Sequence, residues 1–222
     1  MQRLRIRFSR GEEIKFISHL DIVRLWQRAF NRAGIEIAYS TGFTPHPRIS
    51  LAAPLPIGVT SEAELMDIVI VKGVAPQFFV SALNQQLPAG LRVDKVYPIS
   101  ADIPSLQSQV SQAEYKVVLE TVSGPSDIQV ALDNLLKLER LQWQHQRDTG
   151  PHQYDLRALI AEMWVIEWVS PLGSLGMRLQ CNSQGSGRPE QVTAALGFAR
   201  RPQTIHRTQL ILQAKTKVLE NG

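Results

Sequence analysis

Between Tyr39 and Ser50 the chain reads Tyr-Ser-Thr-Gly-Phe-Thr-Pro-His-Pro-Arg-Ile-Ser, with a histidine between two prolines and an arginine just after. Each proline fixes its own φ and pushes the residue before it toward extended backbone, so Pro45 and Pro47 stiffen the loop that carries His46 and Arg48. An imidazole held this way can serve as general acid or base near neutral pH, or donate to a phosphate beside the guanidinium. His19 is the second candidate catalytic residue. It falls in the first turn of an expected helix, where the unpaired N–H groups favour a neutral ring. His19, Asp21 and His46 lack the spacing of a recognised ligand set, so no metal is expected. No Walker, Rossmann, nucleophile-elbow or His-Glu-x-x-His pattern occurs, and no cofactor is expected either.

The second chemical signal is arginine. Residues 1–60 hold nine Lys/Arg against four acids, whereas residues 100–222 hold twelve of each. Arg24, Arg28 and Arg32 recur at i, i+4 and i+8, which stacks them in one stripe on a helix. Arg3, Arg5 and Arg7 alternate with Leu4, Ile6 and Phe8, which puts them on one face of a strand. With Arg48 these seven form the candidate phosphate-binding set, because a planar guanidinium donates in pairs to phosphate oxygens. A solvated basic face kept for solubility is the competing reading. The first strand lacks the paired aromatics on which RNA-recognition sheets stack bases, so stacking on that face is disfavoured.

These residues need elements to position them. Ser18 followed three residues later by Asp21 is a capping-box pattern, with Ile17 and Ile22 as its hydrophobic staple. Ile22, Val23, Trp26, Ala29, Phe30 and Ala33 then fall within an arc of about 120°, and Gly34 stands where a helix-ending glycine belongs. Further strands are expected around 48–53, over 63–71 and over 91–99, with a helix over 76–87 that begins at Pro76. Over residues 1–100 the order is β-α-β-β-α-β, that of a ferredoxin-like unit. Residues 101–113 have no periodicity and read as a linker. Residues 114–222 nearly repeat the order. Strands are expected over 115–121, 141–145, 175–181 and 208–213, with a long apolar strand or a bent pair over 154–169, helices over 125–138 and 189–196 and a Gly-Pro loop over 146–153. The fold expected is therefore α+β: two ferredoxin-like units in tandem, each an antiparallel sheet with helices on one face and the second with an extra strand.

With 44% hydrophobic and 20% charged residues the chain can build cores, which excludes a collagen-like or wholly disordered polymer. No apolar run reaches about 18 residues, and Met1-Gln2-Arg3-Leu4-Arg5 has no apolar signal core, so neither membrane nor secretion is expected. One cysteine, Cys181, allows no internal disulfide and cannot supply the thiolates of an iron–sulfur cluster. A reducing cytoplasm is the expected location.

The stretch Phe8–Asp21, then Ala38-Tyr39-Ser40, Gly42-Phe43, Pro45-His46-Pro47-Arg48-Ile49-Ser50, Pro54-Leu55-Pro56 and Gly58, resembles the radical SAM-linked protein family. The match is dense over residues 7–67 and looser beyond, with Asp155-Leu156-Arg157 and Arg188-Pro189-Glu190 as its later points. Members of that family are encoded beside, or fused to, a cobalamin-binding-type radical SAM protein. The resemblance implies such a protein as partner and transfers no catalytic residue.

Three functions compete on this footing. The first is an accessory protein that presents a substrate, RNA before others, to a radical SAM enzyme. The second is a metal-independent endoribonuclease using His46 or His19, an analogy with duplicated ferredoxin-like nucleases. The third is an adaptor whose arginines meet an acidic protein surface. All three need the guanidinium groups of the first strand and first helix to converge with His46 on one cleft.

Overall fold

Alternation of apolar and charged residues makes residues 2–10 a strand, and its even positions decide which way it faces. Leu4, Ile6 and Phe8 are buried in one cluster with Ile22, Trp26 and Phe30 of the first helix. The computed structural model describes residues 1–121, 124–147 and 150–213. Its first half runs β1 (Gln2–Arg10), α1 (His19–Arg32), β2 (Ile49–Leu51), β3 (Thr60–Ile70), α2 (Pro76–Asn84) and β4 (Leu91–Pro98). β4 pairs with β1, β1 with β3 and β3 with β2, all antiparallel. Trp26 lies edge-on to Phe8 at 5.0 Å and stacked with Phe30 at 5.7 Å between centroids, so aromatic packing clamps α1 to β1.

Ser18 caps α1 as its residue type requires. The Ser18 hydroxyl accepts from the Asp21 N–H at 3.3 Å and donates to the Asp21 carboxylate at 2.7 Å. That contact, with Arg24 adding to it, holds the Asp21 carboxyl below the usual aspartate range.

The second half runs α3 (Leu106–Gln109), β5 (Val110–Glu120), α4 (Pro125–Lys137), β6 (Gln142–Arg147), β7 (Gly150–Asp155), β8 (Ile160–Val169), β9 (Leu172–Asn182), β10 (Gly185–Ser186), α5 (Pro189–Ala195) and β11 (Thr204–Leu212). β11 pairs with β5, β5 with β9 and β9 with β8, again antiparallel. Ile128, Leu132 and Leu135 of α4 are buried with Val117 and Leu119 of β5 and with Leu175, Met177 and Leu179 of β9.

The structure departs from or sharpens the sequence expectation at four points. The two halves do not keep separate sheets. His206 and Arg207 of β11 pair in parallel with Thr60 and Ser61 of β3, which joins the strands into one mainly antiparallel nine-stranded sheet. Residues expected as a Gly-Pro loop instead form the arms of the β6–β7 hairpin, a separate two-stranded sheet. The stretch over 154–169, expected as one long strand or a bent pair, is divided between the end of β7 and β8, because Leu156 is fully buried and Asp155 accepts the N–H groups of Leu141 and Arg157. Finally, the stretch expected as a linker carries α3 and the start of β5, and Leu106 is fully buried.

Among the described residues no helix is long and apolar enough to cross a membrane.

Candidate nucleic-acid interface

The two arginine rows lie on opposite sides of the sheet. Because Leu4, Ile6 and Phe8 face α1, strand alternation turns Arg3, Arg5 and Arg7 to the other face. There Asp67 of β3, the register partner of Arg5, takes both inner guanidinium groups. Arg5 donates from Nε and Nη2 to the two Asp67 oxygens at 2.7 and 3.0 Å, and Arg3 adds a contact at 2.8 Å. Arg3 also donates to the carbonyls of Ile103 and Pro104, and Arg5 reaches Gln109 at 3.4 Å. The segment before β5 is therefore strapped over this face by side chains of β1. Arg5 and Asp67 are buried, and among the three only Arg7 is exposed, with one long contact to the Glu62 carbonyl at 3.4 Å.

On α1 the opposite holds. Arg24, Arg28 and Arg32 are all exposed, on the side of the helix away from Trp26 and Phe30. Arg24 pairs with Asp21 at 3.2 Å in an exposed contact, while Arg28 and Arg32 make no ion pair among the described residues. Successive members of the stripe are about 6 Å apart along the helix axis.

The proline-stiffened loop is a narrow finger. Ala38 N–H donates to Val69 O at 2.8 Å and Val69 N–H to Arg48 O at 3.1 Å, which stitches its base to β3. Above that, Arg48 N–H donates to Ala38 O and Ser40 N–H to His46 O, both at 2.8 Å, and Tyr39 lies opposite Pro47. The Ser40 hydroxyl accepts the His46 N–H at 3.0 Å. Gly42 turns the tip with φ +128°, a backbone region open mainly to glycine. His46 and Arg48 are exposed, Tyr39 is 54% exposed and Phe43 stands wholly in solvent. His19, the first residue of α1, is exposed as well.

The structure thus keeps the helix stripe and the finger on the surface but does not bring all seven arginines to one cleft with His46. The sheet itself separates the β1 row from α1.

Sequence reading also missed the ionic centre of the molecule. Arg207 of β11 is buried and donates to both Glu64 oxygens at 3.0 and 3.2 Å, to the Tyr115 hydroxyl at 3.2 and 3.3 Å and to Pro54 O at 3.2 Å. Burial is the largest single influence and works against its charge, but Glu64, Tyr115 and Cys181 together outweigh it, so the Arg207 pKa lies above the ordinary arginine value. Arg10, also buried, donates to the carbonyls of Ile14, Lys15 and Ile17 and so fixes the turn that leads into α1. The only sequence hint was a carboxylate inside the apolar run of β3, at Glu64 and again at Asp67. Beside this centre an open groove of about 790 Å³ lies between the end of β1, the start of β3 and the segment joining α2 to β4, lined by Arg10, Glu12, Ser61, Glu62 and Arg92 among others, with His206 of β11 at its side. In it His206 Nδ1 lies 2.7 Å from the hydroxyl of Thr60, its register partner, and its Nε2 lies 3.8 Å from Glu62.

Cys181 is buried, and burial pushes its thiol pKa up, away from the reactive thiolate form.

With this geometry described, likeness to known proteins can be placed. A chain in the crystal structure of a Cbf5–Nop10–Gar1 complex shares the fold at a TM-score of 0.52 and 9% identity, over 93% of this chain and 48% of that one. A chain of the archaeal box H/ACA sRNP Nop10–Cbf5 complex aligns at a TM-score of 0.48 and 9% identity, over 94% and 48%. Phosphopantetheine adenylyltransferase of Leuconostoc citreum (strain KM20) is 26% identical over 105 residues, which is 46% of this chain and 64% of that protein. The chain therefore spans less than two thirds of that curated relative and about half of each solved chain. Residues 3–189 match the family described as an uncharacterized protein conserved in bacteria (DUF2344), and the chain belongs to that family.

Proposed function

We propose that this protein binds RNA with the outer face of α1 and with the proline-stiffened finger, and presents it to a separate enzyme. The observation that carries the reading is the α1 stripe: Arg28 and Arg32 are exposed cations without an ion pair among the described residues, in line with Arg24. A surface arginine that is not neutralised internally can displace counterions from a phosphate backbone, the sequence-independent source of affinity for nucleic acid. On the finger Arg48 is a further exposed cation, and His46, two residues before it, is exposed and able to donate to a phosphate. Arg3 and Arg5 stand apart from it, since Asp67 already takes them.

The sequence resemblance to the radical SAM-linked family names the enzyme class of the partner. The strand orders β4-β1-β3-β2 and β11-β5-β9-β8, with a helix at each crossover, support reading each half as a ferredoxin-like unit.

The test is fluorescence anisotropy of a labelled, unstructured RNA over a potassium chloride series. The logarithm of the binding constant should fall linearly with the logarithm of salt. The variant R24A/R28A/R32A should flatten that slope by about 2, at roughly 0.7 per phosphate contact on a single strand. No binding at low salt, or an unchanged slope in the variant, overturns the reading. Copurification of the radical SAM protein that survives nuclease and is lost in the variant would replace RNA by an acidic protein surface.

A further inference from the structure

We infer that Phe43, at the tip of the finger, is a stacking platform for an unpaired RNA base, so that the ligand is a single-stranded or looped segment rather than a duplex. This rests on the RNA reading above and goes further by naming the class of RNA. A phenylalanine left wholly in water forgoes the stabilisation that burial of its ring would give. Here the backbone prevents collapse. The ladder between Ala38–Ser40 and His46–Arg48, the base stitched to Val69 and the prolines at 45 and 47 hold the tip away from the protein. A ring displayed on a pre-organised turn loses little further freedom on binding.

Charge selects the occupant. From residue 37 to residue 61 the chain has no Asp or Glu, and the finger's ionisable side chains besides Tyr39 are His46 and Arg48, both exposed. An apolar tip that served only to dock a hydrophobic surface would gain nothing from this electropositive shaft. An aromatic ring on a shaft that carries a guanidinium and an imidazole is the combination that takes a nucleobase on its ring and the attached phosphate on the shaft. Tyr39, half-exposed on the same finger, supplies a second ring. In an A-form duplex the bases are already stacked and their faces closed, so only unpaired nucleotides can use the platform.

The experiment compares F43A and F43W with the wild-type chain. Two labelled probes are used, an unstructured single-stranded RNA and a blunt RNA duplex of equal length. Wild type should prefer the single strand at equal salt. F43A should lose roughly 5- to 150-fold in affinity for the single strand, the equivalent of removing one base–aromatic stack. Its duplex affinity and its salt slope should match wild type, because no charge has changed, and F43W should restore single-strand binding. Phe43 contacts nothing in the core, so the unfolding temperature of F43A should not move; a lowered one with lost binding of both probes would overturn the inference. Single-strand affinity unchanged in F43A overturns it too, while the arginine dependence of binding would leave the RNA reading standing. Failure of wild type to bind either probe at low salt overturns both.

Discussion

Two rows of three arginines lie within the first 32 residues, and the fold uses them in opposite ways. On β1, Arg3 and Arg5 converge on Asp67 and strap residues 103–109 across the sheet. On α1, Arg24, Arg28 and Arg32 stand in solvent with a single exposed partner, Asp21. The same side chain is an internal tie in one place and an outward-facing cation in the other. The difference comes from the secondary structure. A strand inside a sheet presents its charged face to neighbouring strands at about 5 Å, so an acid in register can capture it. A surface helix presents its polar face to water, where exposed pairs contribute about 1 kcal/mol or less.

The contrast can be broken at its internal side first. Glu64→Ala leaves Arg207 buried without its carboxylate and removes the nearest countercharge of Arg10, and should cost about 3–5 kcal/mol in urea unfolding. Asp67→Asn keeps the shape but strips the charge from beneath Arg3 and Arg5. It should cost about 2–3 kcal/mol, and proteolysis at residues 100–109 should quicken as the strap loosens. RNA affinity measured below the unfolding transition should be unchanged in both.

On the outer side the effects on stability shrink. Ser18→Ala removes the cap of α1 and should cost about 1 kcal/mol. It should also let the Asp21 pKa rise toward the ordinary value of about 3.9, as read by NMR titration of its carboxyl. The sign follows from the depressed folded value. The stabilisation that the Asp21 carboxylate gives is present above the ordinary aspartate range and is lost as pH falls through its lowered pKa, so Ser18→Ala should weaken the acid dependence of α1. Smallest of all, Arg28→Ala should change stability by less than about 0.5 kcal/mol, yet reduce the RNA salt slope by roughly 0.7. A loss of stability larger for Arg28→Ala than for Asp67→Asn would reverse the comparison.

Much of the local structure could be read in advance. The Ser18 cap, the apolar arc through Trp26 and Phe30 and the alternation of β1 each follow from short-range patterns, and each is present. The finger's stiffness is written in Pro45 and Pro47, and the exposure of Arg24, Arg28 and Arg32 follows from their place opposite the apolar arc. The strap was missed because residues 101–109 have no periodicity: they are held by guanidinium groups about a hundred positions earlier. Phe43 was legible in principle, as a lone aromatic next to Gly42 in a run with no apolar period, but its full exposure depends on the ladder beneath it.

By itself the sequence determined most of the helices and strands of the first half, where α1 begins and which faces are apolar, since these depend on neighbours a few residues away. It also set the excess of arginine over acid in the first sixty residues. Only the tertiary structure decided which arginines remain available, because Asp67 is 62 positions from Arg5 and Glu64 is 143 from Arg207. The joining of two halves into one sheet was decided there too, through a two-residue parallel contact between β11 and β3. Pairings over such separations are fixed by how strands come into register, and no local pattern of residue types encodes that register.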